Sequence, residues 1–116
     1  MINAEEAVRI YDSSKKVRDT RCLLDMILDE LDRKIRECAE DGMRFYIIDK
    51  DYADTDRVSE LIYKSNEGVT IHDDKNGGDV VLHPDISLLR KNLFEALESF
   101  GYDAVSSDLT RIYVTW

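Results

Sequence analysis

The stretch that decides the fold is Leu88–Trp116, LLRKNLFEALESFGYDAVSSDLTRIYVTW. Its first half carries Leu88, Leu89, Leu93, Phe94, Leu97 and Phe100 at helical spacing, so one side is apolar and the other polar. Gly101 sits where a glycine ends a helix. Beyond it, Tyr102–Val105 and Arg111–Trp116 are short alternating runs around a polar turn, Ser106–Leu109. In the second run Arg111, Tyr113 and Thr115 alternate with Ile112, Val114 and Trp116, which is the two-residue period of a strand. A helix followed directly by a hairpin cannot build a parallel sheet. It implies antiparallel strands with a helix laid across them.

Upstream, Val69–His72 and Asp79–His83 flank Asp74-Lys75-Asn76-Gly77-Gly78, a second hairpin signal. Pairing about Asn76-Gly77 or Gly77-Gly78 places Val69, Ile71, Val80 and Leu82 on one face and His72, Val81 and His83 on the other. Pro84 and Asp85 open the last helix, with Asp85 or Ser87 as its cap. Met43–Ile48, MRFYII, is aromatic and β-branched and reads as a strand. The polar DKDYADTDR follows it and leads into a short helix over about 55–65, through Val58, Leu61 and Ile62.

Residues 3–41 are helical in pattern. Ala7, Ile10, Ser14, Val17, Arg21, Leu24, Leu28, Leu31, Ile35 and Cys38 recur at three- and four-residue steps, uniformly apolar only from Leu24 to Cys38. Between Asp12 and Arg21 the chain is polar and offers Ser13, Ser14, Asp19 and Thr20 as caps. The expectation is a short first helix, a break, and a stronger helix over about 19–41 that Gly42 stops; one unbroken helix is the alternative. The class expected is α+β: a mostly antiparallel sheet of about five strands with helices, one of them long and N-terminal, on one face. Residues 1–116 form a single domain, with 1–18 as a separate or protruding helical segment.

Composition narrows the functional classes. Of 116 residues, 25 are acidic and 16 basic, giving a net charge of -9. Such a surface repels phosphate backbones and anionic lipids, so any partner expected from charge is a protein with a basic surface, not nucleic acid or membrane, and the favoured plainer reading is that the acidity keeps the chain soluble. Cys22 and Cys38, sixteen positions apart on one helix, would stand ~24 Å apart and cannot bridge, so both read as free, buried thiols. No signal-peptide or membrane-spanning pattern occurs, which points to a reducing cytoplasm.

Few residues suggest chemistry. Read from Asp49, acids fall at positions one, three and twelve of a calcium-loop pattern (Asp49, Asp51, Glu60). Position five, however, is Ala53, and position six is Asp54 where a glycine should turn the chain. His72 and His83 could face each other on the first hairpin with Asp73, Asp74 and Asp79 nearby, a plausible metal set. Asp49, Asp51, His72 and His83 are therefore the metal candidates, although two solvent-facing sheet histidines and an acidic strand-to-helix loop are the favoured reading. Lys15, Lys16, Arg18 and Arg21 form a local basic island that would grip a phosphate, a nucleotide or an acidic patch, unless they pair with Asp12, Asp19 and Asp25. Tyr46 and Tyr113, with Arg44, Ile48 and Arg111, are expected on one outward sheet face as an aromatic–cationic surface, unless some of the tyrosine rings pack under the helices. The sequence contains no strained serine elbow, GxGxxG, Walker loop or HExxH, so no cofactor and no catalytic set is expected.

Ile35-Arg36-Glu37-Cys38-Ala39-Glu40-Asp41-Gly42 running into Arg44-Phe45-Tyr46, and Leu93–Tyr102 followed by Ile112–Trp116, resemble the layout of small accessory proteins of tailed bacteriophages and prophages. The resemblance covers about two-thirds of the chain and leaves out Asp49–Pro84. It implies a non-enzymatic viral protein in the cytoplasm of a bacterial host, and no site residues. Three functions follow as expectations: a protein-binding module or inhibitor of a host or phage enzyme, a nucleotide-signal sequestering protein, or an oligomer assembled through the N-terminal helix.

Overall fold

The computed structural model describes the chain except residues 74–76 and 109, and the side chain of Asp73. Four α-helices and five strands follow in the order α1 (Ala4–Asp12), α2 (Lys15–Glu40), β1 (Phe45–Asp49), α3 (Arg57–Tyr63), β2 (Val69–Asp73), β3 (Gly78–Leu82), α4 (Ile86–Ser99), β4 (Asp103–Asp108) and β5 (Arg111–Thr115). Single 3₁₀ turns, Lys50–Tyr52 and Ser65–Glu67, bracket α3. The class is α+β, as the sequence indicates, and every strand pair is antiparallel. The five strands are divided between two sheets: a three-stranded sheet of order β1-β5-β4 and the β2-β3 hairpin.

The N-terminal helices separate at Ser13–Ser14. Ser14 has extended backbone dihedrals, and its hydroxyl accepts from the Val17 amide at 3.3 Å, which caps α2 and ends the run of α1. The long helix therefore starts four residues earlier than the polar composition of 12–21 suggests. None of the residues of α1 is buried, and Val8 and Ile10 are each 56% exposed, so this helix projects from the body. At the other end of α2, Gly42 takes φ +84° and the Met43 amide donates to the Cys38 carbonyl. Gly101 repeats the device after α4 with φ +90° and Tyr102 N–H donating to Leu97 O.

The core forms where three surfaces meet. From α2 the buried side chains are Leu23, Ile27, Leu31 and Ile35, a strict four-residue row, while Leu24 and Leu28 lie half-buried beside it. From α4 they are Leu89, Leu93 and Leu97, and from the larger sheet Ile48, Ile112 and Val114. α3 closes one end with Val58, Leu61 and Ile62, and the hairpin adds Val69 and Leu82. In the register Val69 pairs with Leu82 and Ile71 with Val80, so the hairpin's expected apolar face is the one that packs inward. Of its turn, Asp74, Lys75 and Asn76 lie outside the described residues. Among the described residues no helix covers the opposite face of the three-stranded sheet: Phe45 and Val105 there are 48% and 61% exposed.

Candidate functional site

The basic island splits up once folded. Lys15, Lys16, Arg18 and Arg21 all lie exposed on the first two turns of α2. The Lys15 ammonium, however, donates to Asp19 Oδ2 at 2.5 Å, and the His83 amide donates to the same oxygen at 3.0 Å. Asp19 is buried, and burial alone would raise its pKa. The His83 amide and Lys15 outweigh that and hold the carboxyl below its usual value. Thr20 adds a second tie: its hydroxyl donates to the Lys16 carbonyl at 2.7 Å and accepts from the Asp85 amide at 2.9 Å. Asp85 in turn caps α4 and accepts from the Tyr11 hydroxyl at 2.6 Å. This junction fastens the β3–α4 crossing to the start of α2. Neither described cavity is lined by any of the four basic residues.

Tyr46 and Tyr113 do not share a face. Tyr46 pairs with Val114 and Ile47 with Tyr113, so Tyr46 points into the body with Ile48, and Tyr113 points out with Arg111. The Tyr46 hydroxyl donates to Asp56 Oδ2, which also accepts from the Ser59 hydroxyl at 2.8 Å and caps α3 through the Ser59 amide. Burial, reinforced by the Asp56 carboxylate, pushes the Tyr46 phenol well above its ordinary pKa. This is an internal strut between β1 and α3. The outward face holds a cross-strand row of Ile47, Tyr113 and Val105 in register, with Arg111 at its end donating to buried Asp49 at 2.8 Å.

The metal candidates also disperse. Asp49 accepts from Arg111 with one oxygen and from the Asp51 amide with the other, so it caps a 3₁₀ turn. Asp51 is exposed. His72 stands opposite Asp79, with Nδ1 and Oδ1 3.3 Å apart, and not opposite His83, because the register pairs Leu82, next to His83, with Val69, three residues from His72. His72 and His83 lie at opposite ends of the hairpin. Of the acids expected beside them, Asp74 and the Asp73 side chain lie outside the described residues. Among the described residues, no group of three or more His, Cys, Asp or Glu gathers as a metal site. Cys22 and Cys38 are free and half-buried, and burial raises both thiol pKa values first, with nearby carboxylates adding to it. That is the opposite of an activated nucleophile.

What the fold does assemble is a groove of about 670 Å³ between the middle of α2 and the end of α4. Its floor is apolar: Leu31, Ile35 and Leu97 are buried there, and Leu28 is half-buried. Phe100 stands at its mouth, 70% exposed, and Tyr102 lines its end with the ring edge-on to Trp116 at 6.3 Å. Along the α2 side run Asp25, Asp29 and Asp32, spaced so that all three fall on one side of the helix. Asp32 accepts from Arg36 at 2.9 Å. Asp25 and Asp29 form no side-chain hydrogen bond or ion pair among the described residues. Two uncompensated carboxylates beside an open apolar trench are suited to a cation that also carries apolar surface. The sequence holds part of this signal, the Asp25–Leu28–Asp29–Asp32 pattern. Phe100 joins it only through the packing of α4 on α2.

No helix among the described residues is long and apolar enough to cross a membrane. Compared with family models, with curated proteins and with solved structures, the chain matches none.

Proposed function

We propose that this chain is a non-enzymatic binding protein that engages a basic surface of a partner protein through the α2–α4 groove, and that by covering that surface it inhibits the partner. The reading extends to its setting: an accessory protein of tailed-phage type, acting on a host or phage protein in the bacterial cytoplasm. The observation that carries the binding reading is the pair Asp25 and Asp29, which lie unpaired along a trench with Phe100 open to solvent. A surplus of nine negative charges supports the sign of the partner and disfavours direct contact with nucleic acid or anionic lipid. The nucleotide-sequestering alternative has less support, since Lys15 is engaged by Asp19 and the basic island borders neither cavity. Assembly through the Leu24–Cys38 stripe has less support too, because Leu31 and Ile35 of that stripe are buried within the chain's own core.

Panning a random peptide display library on the purified protein tests this. Enrichment of sequences that combine Lys or Arg with Leu, Phe or Trp is expected. The enrichment should fall as salt rises and disappear on the double variant Asp25→Lys/Asp29→Lys. Neutral or acidic sequences, or the same sequences retained by the double variant, would refute it.

A further inference from the structure

The groove also constrains the shape of what enters it. Its walls are side chains of α2, Leu97 of α4, and Phe100 and Tyr102 just past the end of α4; the main chain in the middle of α2 is committed within the helix, and the Phe100 and Tyr102 amides both donate to Leu97 O. It presents no row of free amides and carbonyls, so an extended peptide laid there would lose water from its own backbone without replacement partners. A helix satisfies its main chain internally and brings only side chains to the contact. Asp25, Asp29 and Asp32 also recur at four- and three-residue steps over ~10 Å of α2. Lysines or arginines at the same steps on a second helix lying along α2 would meet them one for one.

The chain's own α1 does not supply that helix. It has an exposed apolar side of Ala4, Ala7, Val8, Ile10 and Tyr11, but Glu5 and Asp12 border it on one edge and Glu6 on the other. In a second copy's groove those carboxylates would face Asp25 and Asp29. Charge therefore sets α1 aside and asks for a foreign, cationic segment.

Resting on the binding reading above, we infer that the occupant of the groove is a cationic amphipathic helix of about three turns from another protein, with an apolar stripe seated between Leu28 and Phe100 and Lys or Arg flanking it toward Asp25 and Asp29.

Three labelled synthetic peptides of about 14 residues and identical Leu/Lys content test it, a length set by three to four helical turns. One carries leucines at i, i+3, i+4 and i+7, one has the same residues scrambled, and one has two central prolines replacing alanines of the first. Binding is read by anisotropy, and its location by emission of Trp116, which sits against Tyr102 at the groove's end. The amphipathic peptide is expected to bind at least about tenfold more tightly than the other two, and to change Trp116 emission. Phe100→Ser and Asp25→Asn/Asp29→Asn should each weaken it by about tenfold. The control Glu5→Gln/Glu6→Gln, which removes the same charge from α1, should leave it within about twofold. Equal binding of the proline peptide overturns the helical occupant while leaving a basic partner standing. Equal weakening by the control overturns the groove as the site, and absence of binding by all three overturns both readings.

Discussion

Replacing Asp19 by alanine should cost about 2–3 kcal/mol at neutral pH. The side chain is buried, and one of its oxygens takes the His83 amide at 3.0 Å and the Lys15 ammonium at 2.5 Å. A hydrogen bond to a charged group contributes ~1.5–3 kcal/mol. The ion pair adds little to that, on the order of 0.5 kcal/mol, because Lys15 is 63% exposed and its field is screened. Urea unfolding followed by the single tryptophan gives the number. With a slope of ~1.5 kcal/mol/M, the midpoint should fall by about 1.5 M. The penalty should also depend on pH in a defined direction. The folded-state pKa of Asp19 lies below its ordinary value, so the carboxylate's contribution is complete above the unfolded pKa of ~3.9 and disappears as pH falls through the lower folded value. The difference between wild type and variant should therefore begin to narrow below about pH 4 and keep shrinking as pH falls toward the lower folded-state value. A neutral-pH difference under about 0.5 kcal/mol, or a difference that stays constant down to about pH 3, would refute the clamp.

Two further outcomes test other parts of the fold. Deleting residues 1–12 should lower stability by less than about 1 kcal/mol in the same assay, since α1 buries no residue and its Tyr11–Asp85 hydrogen bond is exposed; loss of cooperative unfolding would show that α1 belongs to the core. Tyr46→Phe should cost about 1 kcal/mol, leaving Asp56 with its two Ser59 bonds, and should not alter the spectrophotometric tyrosine titration below about pH 11, because burial and Asp56 hold the Tyr46 phenol well above its ordinary value. A tyrosinate signal lost near pH 10 in that variant would contradict the buried strut.

Much of the architecture is legible locally. Gly42 and Gly101 end their helices, Ser14 caps where a cap residue is available, and the β2–β3 hairpin buries the face its alternation marks, although Gly78 pairs with Asp73 inside the ladder and the pairing is not centred on Asn76-Gly77 or Gly77-Gly78. What the sequence hides is decided by contacts between distant segments. Two leucines stand side by side at 23 and 24, and a heptad through Leu24 is as good a pattern as a four-residue row through Leu23. The position of α4 and the sheet selects Leu23 for the interior. Tyr46 and Tyr113 both alternate correctly, but which face each shares depends on a register that sets Tyr46 against Val114. Residues 12–21 look solvated because their composition is polar. Asp19 and Thr20 are buried all the same, since amides 64 and 65 residues away supply their partners. The groove is hidden for the same reason: one side of it belongs to α2 and the other to Leu97, Phe100 and Tyr102 around the end of α4.

The bare outer side of the three-stranded sheet has a colloidal consequence. β1 and β4 are the edge strands of that sheet, the Asp49 amide of β1 being taken by the Ser59 hydroxyl, and Ile47, Tyr113 and Val105 run across it as an apolar row. At neutral pH mutual repulsion between like-charged molecules keeps those margins from meeting. Near the isoelectric point of about 4.6 that protection lapses, and strand-to-strand stacking becomes the favoured route of precipitation. The surplus of carboxylates thus guards the molecule's own unfinished rim as well as shaping its encounters with others.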